Sequence, residues 1–318
     1  MLKRFGTALC VAVIIVALTG GGALAGTFPD KNLKIIVPFA PGGGVDVTCR
    51  MIAEVAPKHL NGKKIVVENM PGGGAVIGQT YVAKAKPDGY TILAYTSSVV
   101  SNPMTKKTSF THTSYQPIAM YCFDPEILIV PAKSPYDSLK AFIEAAQKKE
   151  VSVATPGYST SHHIASLILE DRLGVKFGYI HNQSAAMQVQ QLLGGHVEAG
   201  MMAMGETTQY VKDGSLKALG LMIDVRNPDF SAIPTFKEEG IDLVWGAFRG
   251  LAVPKDTPAD TVKALDEAFK NIVADPDFND RMQKAGFPVV YRNASDFTAY
   301  VGVVAEKLGK ILPTLKKQ

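Results

Sequence analysis

Cysteine is scarce: three among 318 residues, one of them (Cys10) inside an N-terminal apolar stretch. That excludes a disulfide-built scaffold, and the lack of any zinc-type Cys/His spacing excludes a structural zinc module. An excess of charge is missing too. The 33 Lys and Arg stand against 29 Asp and Glu, a formal net charge of +4, which is too little for an electrostatic nucleic-acid footprint. Beyond residue 25 no apolar run approaches the roughly 20 residues of a membrane span. Neither a low-complexity tract nor a strong internal repeat is present, so disordered, collagenous and repeat-built classes drop out. What is there is globular: 47% hydrophobic and 19% charged residues, in a length that suits one large or two ordinary domains.

Residues 1–25 read as a secretory signal peptide. Lys3 and Arg4 precede an apolar stretch from Phe5 to Leu18, Gly20–Gly22 break it, and Ala23-Leu24-Ala25 offers small residues where a signal peptidase cuts. Cleavage after Ala25 leaves 31 basic and 29 acidic residues, a net charge of +2. The expected product is exported and soluble in the periplasm. Cys49 and Cys122 remain. An oxidising compartment permits a bridge between them, and two buried free thiols are the other reading.

Periodicity then organises the chain. Leu33–Phe39 is a β-branched apolar run, hence a strand, and Val45–His59 carries helical spacing. Strands at Ile65–Val67 and Tyr90–Tyr95 flank a helix at Val76–Ala85. A second block starts at Ile127–Val130 and alternates again: helices at Leu139–Lys148, Ser161–Arg172, Ser184–Leu193 and Thr208–Lys212, strands at Val151–Ala154, Lys176–Ile180, Val197–Met204 and Leu216–Met222. The strand Gly250–Val253, helices at Pro258–Val273, Pro276–Ala285 and Ser295–Leu312, and a strand at Val289–Tyr291 complete the chain. Alternating strands and helices with short links predict two α/β blocks with parallel sheets.

Chemistry is expected at the strand ends. Phe39-Ala40-Pro41-Gly42-Gly43-Gly44 ends one strand and opens a helix. Free N–H groups and the positive end of the helix dipole suit a carboxylate or phosphate there, and a plain tight turn is the alternative. Neither the dinucleotide fingerprint nor the P-loop pattern is met. Asp46 and Arg50 are spaced for an i,i+4 ion pair. Thr155–His163 is a second Gly/Ser/Thr-rich strand-to-helix loop, with Thr160 or Ser161 as cap. Its Gly157-Tyr158-Ser159-Thr160-Ser161 misses the nucleophile-elbow pattern by its last residue, and adjacent His162 and His163 point apart on a helix. A hydrogen-bonded structural role for the histidine is favoured. Thr96-Ser97-Ser98 adds hydroxyls at the end of the third strand, and Met201, Met202 and Met204 supply either core packing or an apolar wall.

Five motifs in order resemble the Bug family of extracytoplasmic solute receptors, the TctC-type substrate-binding proteins of tripartite tricarboxylate transporters. They are Ile36–Asp46 with Arg50, Val67–Gly74 with Ile77-Gly78, Ala83–Thr91, Leu192–Glu198 and Gly214–Leu219. The resemblance spans essentially the whole chain after residue 25. It implies an α/β, type II periplasmic-binding-protein fold. Residues 26–125 with 250–318 would form one domain and 126–249 the other, with crossings near Pro125 and Arg249.

The implied site holds a ligand carboxylate with main-chain groups of Phe39, Ala40, Pro41, Gly42, Gly43 and Gly44 and of the Tyr158, Ser159, Thr160 and His163 loop. Thr96, Ser97, Ser98, Asn182 and Met202 stand beside them. No catalytic residue, cofactor or metal is implied. The partners would be a small carboxylated solute and membrane permease subunits, with no nucleic acid, and the protein is expected to be a monomer. Three departures from the family pattern stand out. Ser159 and Thr160 replace its second Gly and its Ser, and Asn182-Gln183-Ser184 replaces its Tyr-Lys-Gly. The family's pocket Asp falls on Met202. A methionine there cannot pair an ammonium, which favours a di- or tricarboxylate or an aromatic acid over an amino acid. Competing functions are a ligand sensor feeding a signalling protein and a hydrolase using Ser159 or Ser161 with His163.

Overall fold

The computed structural model describes residues 28–315; the expected signal peptide and its expected cleavage after Ala25 lie outside them. The chain begins as the periodicity predicts: β1 (Leu33–Val37), α1 (Gly44–Val55), β2 (Ile65–Asn69), α2 (Val76–Ala83) and β3 (Thr91–Thr96). β1 pairs in parallel with both β2 and β3. Its residues alternate between two apolar clusters. Ile35 and Val37 join Cys49, Ile52 and Val55 of α1 on one face, and Ile36 packs on the other with Val82 of α2. Helices therefore cover both faces, as the unbroken apolar run requires.

A second parallel set follows. It comprises α4 (Leu139–Ala146), β5 (Val151–Thr155), α5 (Ser161–Leu173), β6 (Phe177–His181), α6 (Ala185–Leu193), β7 (Ala199–Ala203), α7 (Met204–Lys212) and β8 (Leu216–Leu221). β5 pairs in parallel with β6 and β7. Between the two sets the periodicity left out α3 (Ser98–Thr105), whose internal Pro103 masks it. It also caught only the end of β4 (Tyr115–Pro131), a 17-residue strand.

β4 joins the two halves. As far as Pro125 it runs antiparallel to β9 (Gly246–Pro254) and also pairs with β10 (Val289–Arg292). From Glu126 onward it pairs with β7 and β8 instead. Pro117 and Pro125 would normally demote a strand. Here the register shifts between Pro117 and Ala119, beside the first proline, and again between Met120 and Cys122, while Pro125 sits where β4 leaves β9 for β7 and β8. β9 returns the chain to β3, and α8 (Ala259–Ala274), α9 (Pro276–Lys284) and α10 (Ala294–Leu315) close the structure. Two α/β halves thus share two long strands. Cys49 and Cys122 are both buried and free, and among the described residues no helix is long and apolar enough to cross a membrane.

Candidate functional site

The turns that follow β1, β5, β6 and β7 meet at one place, the carboxyl ends of the strands. They enclose a cavity of about 40 Å³ lined by Phe39, Gly43, Gly44, Val45, Pro156, Thr160, His162, Ser184, Ala185 and Glu206. Four helices start at its wall. Thr160 caps α5, its hydroxyl accepting from the His163 N–H, and Ser184 caps α6, accepting from the Met187 N–H. In α7, Glu206 accepts the Ala203 N–H at 3.3 Å. The N-cap of α7, Ala203, has no capping side chain, but Asp124 Oδ1 accepts the Gly205 N–H of its first turn at 2.9 Å. α1 differs: its N-cap is Gly43, and no side chain caps its first N–H groups. The start of α1 is therefore an unsatisfied donor set with a positive dipole end, facing three other helix starts.

The first turn is more committed than the sequence suggests. The Gly42 N–H donates to Asp46 Oδ2 at 2.9 Å, so one expected anion donor already serves the chain's own carboxylate. Asp46 is buried. Burial alone would raise its pKa, but Arg50, the Gly42 N–H and Asn69 hold it below the ordinary carboxylate value. The expected Asp46–Arg50 pair is present at 2.9 Å, and Asn69 donates to the same Asp46 oxygen. Asp46 thus fixes the turn. Gly42 itself has φ +85°, which favours glycine. Ala40 reaches across the cleft, its N–H donating to the Gln183 carbonyl at 3.1 Å.

The second loop is bound from the opposite half. Ser101 Oγ donates to the Ser159 carbonyl, Thr105 Oγ1 lies 2.7 Å from Ser159 Oγ, and Lys106 Nζ donates to the carbonyls of Tyr158 and Gly73. Burial lowers the Lys106 pKa to about 8. Ser159 has φ +67°, a left-handed conformation unusual for serine and natural for the glycine it replaces. The surrounding contacts hold it there.

His163 Nδ1 accepts the Ser159 N–H at 3.0 Å, and its ring packs against Tyr158, Tyr179 and His181. Burial, with His181 and Lys106 nearby, lowers its pKa to about 3, so it is neutral. The Ser159 hydroxyl meets Thr105 and not His163, so these two are not paired as nucleophile and base, and Ser161 Oγ lies 3.5 Å from His162 Nδ1, which Glu126 already engages at 2.5 Å.

Of the residues expected at the site, the structure brings Phe39, Gly43, Gly44 and Thr160 to the cavity wall. Ala40, Gly42, Tyr158, Ser159 and His163 support the two loops behind it, and Pro41 lies in the same turn. Asn182 Nδ2 donates to the Thr155 and Ile180 carbonyls. Thr96 and Ser98 hydroxyls bond each other, and Ser98 also takes the Gln79 amide. Ser97 lines a different cavity of about 230 Å³, an apolar space with Phe123, Trp245, Phe248, Tyr300 and Lys307. Met202 is 0% exposed and lies in the apolar cluster of Ile127, Ile129, Ala185 and Val189; Ala185 lines the small cavity and Met202 does not. Met202 thus presents no surface of its own to the cavity in this structure.

What sequence reasoning missed is a buried charge network beneath the cavity. His162 Nδ1 lies 2.5 Å from Glu126 Oε2, and its Nε2 lies 3.2 Å from Glu206 Oε2. Arg249 spans Glu206 Oε1 at 3.0 Å and Asp124 Oδ2 at 2.7 Å, and also donates to Cys122 Sγ. Asp124 and Glu126 sit on β4 where its partners change, and Arg249 sits on β9. Burial opposes charge on His162, but Glu126 and Glu206 raise its pKa to about 10. Burial likewise opposes charge on Glu206, but His162 and Arg249 bring it down to about 2. Burial pushes Asp124 up to about 6, with Arg249 offsetting only part.

These directions set a pH dependence. His162 titrates higher in the folded chain than at its ordinary 6.5, so its contribution is full below about pH 6.5 and is lost as pH rises toward 10. Glu206 titrates lower than its ordinary 4.5, so its contribution is full above that pH and is lost as pH falls toward 2. Asp124 has the opposite sign, losing stability as pH rises from 3.8 to about 6, and is spent before His162 begins to titrate. Lys106, whose folded pKa is lowered to about 8, works the other way above that pH, so urea midpoints are expected to fall between pH 6.5 and about 8, and His162→Gln should flatten that limb. A parallel decline in wild type and variant would assign the alkaline loss elsewhere.

Comparison with known proteins fits this geometry. The profile described as "Tripartite tricarboxylate transporter family receptor" matches residues 48–316. Protein BugT of Bordetella pertussis is 30% identical over 325 residues, covering 95% of this chain and 98% of its own. The solved periplasmic binding protein BugD is 29% identical with a TM-score of 0.86, covering 91% of this chain and 99% of its own. MatC from Rhodopseudomonas palustris, solved with bound malate, is 25% identical with a TM-score of 0.82, covering 89% and 98%.

Proposed function

Because the chain belongs to the tripartite tricarboxylate transporter receptor family, whose members are periplasmic solute-binding proteins and not enzymes, we propose that it captures a small organic carboxylate. A di- or tricarboxylate or an aromatic acid would bind between its two halves and pass to the permease subunits of a tripartite transporter. The observation that carries this reading is the meeting of four helix starts at one cavity, one of them, α1, with first N–H groups that no side chain caps. Such a place favours an anion and offers it main-chain N–H groups. MatC, of the same fold, holds malate, which supports a dicarboxylate of similar size. The protein acts in the periplasm as a monomer, after removal of residues 1–25.

The test is a thermal-shift screen of the mature protein against carboxylates. A ligand at 100 times its Kd adds about 2.7 kcal/mol of stability, a shift of a few degrees. A panel of di-, tri- and aromatic carboxylates that moves the melting temperature nowhere would count against the reading.

A cavity of about 40 Å³ has room for water and not for a dicarboxylate, so binding demands opening. The two halves, taken as residues 26–125 with 250–318 and residues 126–249, would move as units about β4 and β9. The exchange of β4's partners at Pro125 and Glu126 supports the first crossing. For the return, pairing favours Trp245–Gly246, a few residues before Arg249. Contacts of Ser101, Thr105 and Lys106 with the Tyr158–Ser159 loop, and of Ala40 with Gln183, hold the halves together here and would part to admit a ligand, the halves then closing around it. Small-angle scattering is expected to give a smaller radius of gyration with ligand than without. An unchanged profile at saturation would argue for a rigid site.

A further inference from the structure

One group on the cavity wall does not belong in an anion site. Glu206 is a buried carboxylate on the same wall as Gly43, Gly44 and Ser184. Its Oε2 faces His162 Nε2 and accepts the Ala203 N–H. Its Oε1 takes a single donor, Arg249 Nη2 at 3.0 Å. That oxygen lies against the start of α1: a Cβ placed on Gly44 would come within 2.6 Å of it. A carboxylate oxygen accepts two hydrogen bonds, so Oε1 keeps acceptor capacity beside the donors that would hold a ligand carboxylate. His162 and Arg249 keep Glu206 ionised, so it offers no proton of its own.

We infer that Glu206 determines specificity by requiring a hydrogen-bond donor, a hydroxyl or a protonated amine, next to the ligand carboxylate anchored at the helix starts. The inference rests on the carboxylate reading above. A ligand with only methylene there leaves a buried anionic acceptor short of a partner, and a second carboxylate brought near is repelled. A hydroxyl or ammonium completes the shell. Sites built around a buried polar group reject the analogue that lacks its partner far more strongly than apolar pockets reject a missing methylene.

Succinate, malate and aspartate share one four-carbon dicarboxylate skeleton and differ at one carbon: no donor, a hydroxyl, an ammonium. Calorimetric titration of the mature protein with each is expected to show malate or aspartate binding on the order of tenfold or more tighter than succinate. Preference for malate identifies a hydroxyl, and preference for aspartate an ammonium. Glu206→Gln, which retains an acceptor but no charge, should narrow the gap, most of all for aspartate. Succinate binding as tightly as both overturns the inference and leaves the carboxylate reading standing. Binding of none of the three also overturns it, and if the wider carboxylate panel is silent as well, the carboxylate reading falls with it. The three wild-type titrations decide the matter even if Glu206→Gln does not fold.

Discussion

Gly43→Val is expected to abolish carboxylate binding while leaving a cooperatively folded protein. Gly43 is the N-cap of α1 with φ −80° and ψ 166°, an extended conformation that any residue adopts. Its backbone therefore gives no reason for unfolding. Space is the constraint: a Cβ there would lie 3.3 Å from the Ala185 nitrogen and 3.5 Å from Ser184 Cβ. The two γ-methyls of valine would enter the gap between the starts of α1 and α6, on the cavity wall. They would cover the free N–H groups and hold the halves apart. Loss of two charge-assisted hydrogen bonds is worth about 3 kcal/mol or more, roughly a hundredfold in affinity. Calorimetry reads the affinity, and a urea transition of unchanged slope verifies the fold. Affinity within a few-fold of wild type would mean that the start of α1 does not hold the ligand.

Arg249→Met should destabilise the protein by about 3–5 kcal/mol, the usual cost of stripping one partner from a buried ionic cluster. The guanidinium is 1% exposed and bridges Asp124 and Glu206 with separate nitrogens. Without it two buried carboxylates face each other through a gap. Arg249→Lys should recover little, since one ammonium cannot reproduce a fork that spans two acids. The penalty should shrink as pH falls toward 5, where the abandoned carboxylates take up protons. Urea unfolding at pH 7 and pH 5 measures both effects. A loss below 1 kcal/mol at pH 7 would show the network to be incidental to the junction of β4 and β9.

The α/β halves were legible because apolar runs and helical spacing state them directly: β1, α1, β2, α2 and β3 stand where the periodicity puts them. β4 and α3 were cut short by prolines that the sheet and helix tolerate. The Gly42–Gly44 and Gly157–Thr160 loops were legible as helix starts, and residues of both line one cavity. Asp124, Glu126, His162, Glu206 and Arg249 were not, because their meeting is a product of topology and not of spacing. A signal existed nevertheless. Asp124 and Glu126 interrupt an apolar stretch, and Arg249 stands in Ala-Phe-Arg-Gly-Leu-Ala-Val. Isolated charges inside core strands require buried partners. Met202 illustrates the converse: a position reached by counting along a family pattern can be fully buried in an apolar cluster.

The decisive measurement is a crystal structure of the mature protein with the tightest-binding carboxylate from the screen. Its carboxylate oxygens should lie 2.7–3.2 Å from main-chain nitrogens at the start of α1, inside the cleft lined by Gly43, Gly44, Thr160 and Ser184. A ligand seated instead in the apolar cavity beside Trp245 and Lys307, with the helix starts empty, would contradict it.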